Sequence, residues 1–131
     1  IEAFRQFGEA LGSSIANIIT LIDGIVVLGG GITSAWDYFS PALFKEINRN
    51  YFHFTGSAND RLSFKVFDLE ESSQFKTFAM GEVQKISIPG IDKEIEFDSM
   101  PRTGIGVSKL GASHAIALGA YTFALQQLDN K

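Results

Sequence analysis

The sequence predicts an α/β protein, and the order of its segments carries that reading. A helical period fills residues 2–21, the β-branched run Ile25-Val26-Val27-Leu28 follows, and a glycine turn at residues 29–31 leads into a second helical pattern. Helix, strand, glycine turn and helix in succession make an α/β unit rather than a bundle or a sandwich. With 131 residues, 45% hydrophobic and 20% charged, the chain has the length and composition of one domain with a packed core.

In the first helix Phe4, Phe7, Leu11, Ile15, Ile18 and Ile22 recur at steps of three and four, which places them on one face. Gly8, Gly12 and Ala16 form a second stripe. A glycine within a helix costs about 1 kcal/mol against alanine, so the pair predicts close approach by another element. Asp23 and Gly24 end the helix, and residues 25–28 have the character of a central parallel strand covered on both faces. The second helix puts Trp36, Phe39, Leu43 and Ile47 together, with Ser40 and Pro41 marking a start or a bend.

The pattern changes between about Tyr51 and Arg102. Residues 64–67 suggest a strand and residues 70–80 a short helix. Residues 83–88 and 94–97 alternate apolar and polar around Pro89, Gly90, Ile91 and Asp92, a hairpin signal. Residues 51–100 are thus expected to form a small β-rich insertion on a core of 1–50 and 101–131, the whole of 1–131 being one C-terminal domain of a longer, two-lobed protein. A long last helix is expected from about Ser108 to Leu128, with Leu110, His114, Ala117, Tyr121 and Leu128 on one face. Gly111, Ala115 and Gly119 form its small-residue stripe, expected to pack on the stripe of the first helix or on a part of the protein outside this chain.

The chain opens inside a helical pattern at Ile1, which suggests a piece of a longer protein. Between Ala10 and Trp36 the only charge is Asp23, but Ser13, Ser14, Asn17, Thr20 and the glycines interrupt the run. It is expected to be a buried helix and strand, not a membrane span. A net charge of −4 supplies no electrostatic reason for nucleic-acid binding. The lack of cysteine excludes a disulfide framework or a thiolate metal site in this chain and fits a cytoplasmic protein.

The glycine turn is the sharpest chemical feature. In open α/β sheets, ligands bind beyond the carboxyl ends of the strands. Glycines there bring bare backbone close to a ligand, and a following helix offers free N–H groups and a favourable dipole to an anion. The turn matches neither GxGxxG nor a Walker A sequence, and a tight turn alone is the competing reading. A second candidate is the glycine-rich run from Arg102 through Ser108 and Lys109 to Gly111. There Arg102 and Lys109 are candidate phosphate contacts, unless the run is only a flexible lead-in with Ser108 as N-cap. His53 and His114 lack ligand spacing and are expected to be packed or on the surface. Asp92, Glu94, Glu96 and Asp98 form an acidic alternation expected on a solvated strand face, with a cation site as the alternative. Trp36 is assigned to core packing ahead of stacking on a base. No catalytic residue and no metal ligand is assigned.

The stretch Ala10-Leu11-Gly12 to Asn17, then Ile22-Asp23-Gly24 and the strand into Gly29-Gly30-Gly31, resembles the ROK family (repressors, open reading frames and kinases), many members of which have Pro where Gly24 stands. Leu110-Gly111-Ala112 and Gly119-Ala120 match the family's closing helix. The resemblance covers roughly 1–50 and 101–128, while the middle block resembles a variant branch. It implies an actin-like (ribonuclease H-like) ATPase fold of two lobes with ATP and Mg²⁺ in the cleft between them. Gly29, Gly30 and Gly31 would then form part of the adenosine site, with Ile32 and Thr33 as neighbours. The phosphate motif, catalytic Asp, sugar-binding Glu and His residues and Cys-rich zinc motif of the family would lie upstream of Ile1.

The implied function is that of the nucleotide-side portion of a glucokinase-like, ATP-dependent hexose kinase, inactive alone. The alternatives are a sugar-sensing ROK transcriptional regulator and a non-catalytic structural or dimerisation domain. The implied partners are the N-terminal lobe of the same protein, to which the last helix would cross back, a sugar substrate, and further copies of the chain in a homo-oligomer.

Overall fold

A computed structural model describes residues 1–52, 54, 56–90 and 93–129; His53, Ile91 and Asp92 lie outside the described residues. Helix α1 spans Glu2–Leu21, strand β1 Val26–Leu28, a 3-10 helix Gly31–Ala35 and helix α2 Trp36–Ile47. Strands β2 (Asn50–Phe52), β3 (Ala58–Asp60) and β4 (Lys65–Asp68) follow, then helix α3 (Ser72–Met80), strands β5 (Val83–Ser87), β6 (Glu94–Asp98) and β7 (Arg102–Val107), and helix α4 (Ala112–Asp129).

The main sheet is β1-β7-β4, with both pairings parallel. Parallel neighbours need a crossover, and β4 reaches β7 through α3 and the β5–β6 hairpin. Two expectations are corrected. Residues 102–107 are not a loop but the central strand, with Thr103, Gly104, Ile105 and Gly106 buried. Strand β1, expected at the centre and covered on both faces, is an edge strand with Val27 64% exposed. Burial decides the first point. Gly104 and Gly106 lower strand propensity, yet they let Leu69 lie across β7: a Cβ on Gly104 would stand 2.6 Å from Leu69 Cδ2.

The predicted hairpin is present, with β5 and β6 paired antiparallel from Val83↔Asp98 to Ser87↔Glu94. Strands β2 and β3 form a second antiparallel pair. Residues 51–100 nevertheless do not lie wholly outside the core. Strand β4 belongs to the main sheet, and Leu62 and Val66 join the hydrophobic cluster with Ile15, Phe39, Leu43 and Ile105.

Helices α1 and α2 pack in step, Gly8 against Phe39 and Gly12 against Leu43, so they run in the same direction. The buried face of α1 is centred on Gly8, Gly12, Ile15, Ala16 and Ile19. The small-residue stripe is therefore the contact face, and its partner is α2 rather than the last helix. Phe7, Ile18 and Ile22, expected inside, are exposed. Helix α2 starts at Trp36 and carries Pro41 within it, because burying Trp36 and Phe39 outweighs the local start signal at Ser40 and Pro41. Helix α4 begins at Ala112 rather than Ser108, since the preceding residues continue from the strand. Its described side chains are exposed throughout, including Ile116, Tyr121, Phe123 and Leu128. Among the described residues no helix is long and apolar enough to cross a membrane.

Candidate functional site

The glycine turn leaves the carboxyl end of β1 beside the exit of β7. The Ser108 N–H donates to the Leu28 carbonyl at 2.8 Å, and a Cβ on Gly29 would stand 3.8 Å from Ser108 Cβ. Gly30 adopts φ +103°, a conformation glycine takes without strain. A Cβ on Gly31 would meet nothing within 4 Å, and its backbone is not in the left-handed region. Neither internal crowding nor backbone conformation calls for glycine at Gly29 or Gly31, which leaves bare backbone facing open space.

A 3-10 helix, absent from the sequence expectation, separates the turn from α2. The Thr33 hydroxyl donates to the Gly30 carbonyl at 2.6 Å and the Ser34 hydroxyl to that of Gly31 at 2.9 Å. Thr33 thus braces the turn, and Ile32 stands exposed beside it. Residues 32–35 separate the turn from the amino end of α2, so α2 does not start directly on the glycines. Trp36 packs edge-on against Phe39 and Phe44 and belongs to the core.

Arg102 and Lys109, grouped on sequence, stand at opposite ends of β7. At the amino end the Arg102 guanidinium donates to the Phe78 carbonyl at 2.6 Å, to the Met100 carbonyl at 3.1 Å and to the Asp98 carboxylate. Facing Asp98 from the end of β7 away from the glycines, it is not a neighbour of the turn. Lys109 lies on the glycine side and pairs with Glu70, its side chain 79% exposed. His114 is exposed on α4. Glu94 and Glu96 are exposed on β6, while Asp98 is tied to Arg102 and to the Glu82 and Met100 N–H groups.

Sequence reasoning missed the role of residues 68–70. Asp68 Oδ1 accepts the Glu70 N–H at 2.9 Å, and Glu70 Oε1 accepts the Val107 N–H at 2.9 Å. The Lys109 ammonium and then the Val107 N–H hold the Glu70 carboxyl below the usual carboxylate range. Burial pushes the Asp68 carboxyl up, against the hydrogen bond from the Glu70 N–H. The available signal was a strand followed by Asp68-Leu69-Glu70-Glu71, an acidic turn on an apolar edge. The amino end of α3 is no anion site, because Glu71 caps the Ser73 and Gln74 N–H groups, each at 3.0 Å. Two open hollows, one beside Lys65 and Pro101 and one beside Asp23 and Thr103, lie at the amino ends of β4 and β7, away from the turn.

No family model and no curated protein matches the chain. Among solved structures it is similar to a glucokinase from Parabacteroides distasonis, known from a crystal structure at 3.00 Å, with 41% sequence identity and a TM-score of 0.76. The similarity covers 95% of this chain and 33% of that glucokinase, so the chain spans one third of the length of the kinase it resembles.

Proposed function

We propose that the chain is the nucleotide-side, C-terminal portion of an ATP-dependent, glucokinase-like sugar kinase of the ROK type, a cytoplasmic enzyme with the actin-like two-lobed fold. The observation that carries this reading is 41% identity to a glucokinase over 95% of the chain. The open glycine turn at the carboxyl ends of β1 and β7 supports it, since that is where an α/β sheet receives ligands.

Gly29, Gly30 and Gly31 form one wall for the adenosine, with Ile32 and Thr33 at its edge, and Lys109, next after Ser108 at the exit of β7, is the candidate phosphate contact once its ammonium leaves Glu70. Arg102, bound to Asp98 at the other end of β7, has no part in the site. Among the described residues no group of three or more His, Asp or Glu side chains stands close enough together to hold a metal ion. The base that accepts the sugar hydroxyl proton, the phosphate motif and the sugar contacts belong to the other lobe. The exposed apolar side chains of α4 and the open face at Val27 are then surfaces that this lobe covers. In the 131-residue chain alone they favour self-association.

The test is a coupled assay of ADP release by the full-length protein with glucose, other hexoses, ATP and MgCl₂. Sugar-dependent ADP release is expected. Failure to turn over any hexose with any nucleoside triphosphate rejects the reading.

A further inference from the structure

We infer that Glu70 is a positioning residue of the glycine-turn site: its carboxylate holds the exit of β7, residues 107–109, in line with residues 29–31. The consequence for nucleotide binding rests on the function proposed above. The positioning itself rests on geometry alone.

The ladder between β4 and β7 ends at Asp68↔Ile105. One more backbone bond follows, from the Leu69 N–H to the Ile105 carbonyl at 2.9 Å. Two residues later the Val107 N–H faces the same side, where β4 has already turned away. Even a partly buried N–H without a partner is costly. Glu70 Oε1 takes the place that a strand carbonyl would fill, at 2.9 Å. Its second oxygen receives the Lys109 ammonium. Glu70 Oε1 packs beside Gly106, where a Cβ would stand 3.5 Å from it, an ordinary contact. The Glu70 side chain is 23% exposed, and its own N–H is fixed by Asp68.

On the opposite side Ser108 donates to Leu28, the last residue before the glycine turn. The β7 exit therefore hangs between a carboxylate and β1, with Ser108 against Gly29. Without the carboxylate, residues 107–109 keep only the β1 side, and the wall next to the turn loses its register. Glu70 touches no part of the turn itself and acts through Val107 and Lys109.

The experiment uses the full-length protein with Glu70→Ala, Glu70→Gln and Lys109→Met. The readouts are amide exchange at residues 107–109 and the kinetic constants for ATP and sugar. Glu70→Ala is expected to speed exchange at Val107 and to raise KM for ATP, each roughly ten-fold, with kcat and the sugar KM changed less than about two-fold. Glu70→Gln retains an oxygen for the Val107 N–H and is expected to restore slow exchange and most of the ATP affinity. Lys109→Met is expected to leave Val107 exchange slow. Should the Ala variant not fold, Glu70→Asp, one methylene too short, is expected to show the same split. Unchanged exchange in Glu70→Ala, a Gln variant no better than Ala, or equal losses for ATP, sugar and kcat overturns the inference. If the wild-type protein phosphorylates no sugar, the proposed function fails, and the exchange comparison alone then decides the positioning.

Discussion

The carbonyl oxygen of Phe39 lies 2.3 Å from where a Cβ on Gly8 would stand, and that of Leu43 lies 2.6 Å from the same point on Gly12. Helices α1 and α2 thus meet backbone to backbone, and the obstacle to a larger residue is main chain, which cannot rotate aside. Gly8→Ala gains about 1 kcal/mol in helix propensity but forces the helices apart. A net loss of about 2 kcal/mol is expected, read as a lower urea midpoint at constant slope. Gly119→Ala, where a Cβ meets nothing within 4 Å, is expected to raise helix content instead. A Gly8→Ala protein as stable as wild type would refute this account of the α1–α2 contact.

Arg61 ties the segment between β3 and β4 to both helices. It donates to Glu46 Oε1 at 2.5 Å, to Ser13 Oγ at 3.0 Å and to Asn17 Oδ1 at 3.4 Å, with its side chain 9% exposed. Arg61→Ala leaves the Glu46 carboxylate with the more exposed Arg49, at 3.2 Å, and takes the donors away from Ser13 and Asn17, so it is expected to cost about 2 kcal/mol. Arg61→Met with Glu46→Gln should lose less than the sum of the single changes. Strict additivity in that double-mutant cycle would show that the pair is not coupled.

Asp98 reports on the hairpin through pH. Hydrogen bonds from the Glu82 and Met100 N–H groups, then from Arg102, hold its carboxyl at about 2, against an ordinary value of 3.8. A depressed carboxylate pKa contributes stability that is present above the unfolded value and lost as pH falls through the folded one. The Glu82 and Met100 amide signals of the folded protein are therefore expected to move with a midpoint near pH 2. Asp98→Asn should remove that step, and its persistence in the Asn variant would assign it to another group.

Gly31→Val separates folding from binding at the turn. The space around Gly31 is open within the chain, so thermal stability is expected to stay within about 2 °C. In the full-length protein KM for ATP is expected to rise roughly ten-fold. Intact ATP affinity in a folded Gly31→Val protein would remove the glycine turn from the nucleotide site.

The α/β order, the helical character of residues 2–21, the β5–β6 hairpin and the glycine turn after β1 were all legible in the sequence. Each depends on residues close together in the chain: periodic apolar positions, β-branched runs, and glycine or proline breaks. The stripe of Gly8 and Gly12 was also legible as a close-approach surface, though its partner was not. What it meets is set by how the chain returns from β1.

The site divides along the same line. The sequence alone determined where bare backbone would stand beyond a strand, because three consecutive glycines after an apolar run impose that locally. Only the tertiary structure decided that residues 102–107 are the central strand and that β1 lies at the edge. It alone separated Arg102 from Lys109 to opposite ends of β7, and it brought Glu70 to the Val107 N–H across 37 residues of chain. Strand order and side-chain ladders are long-range pairings. They are set by the packing of Leu69 over Gly104 and the burial of Ile105 in the shared core, which no local pattern encodes.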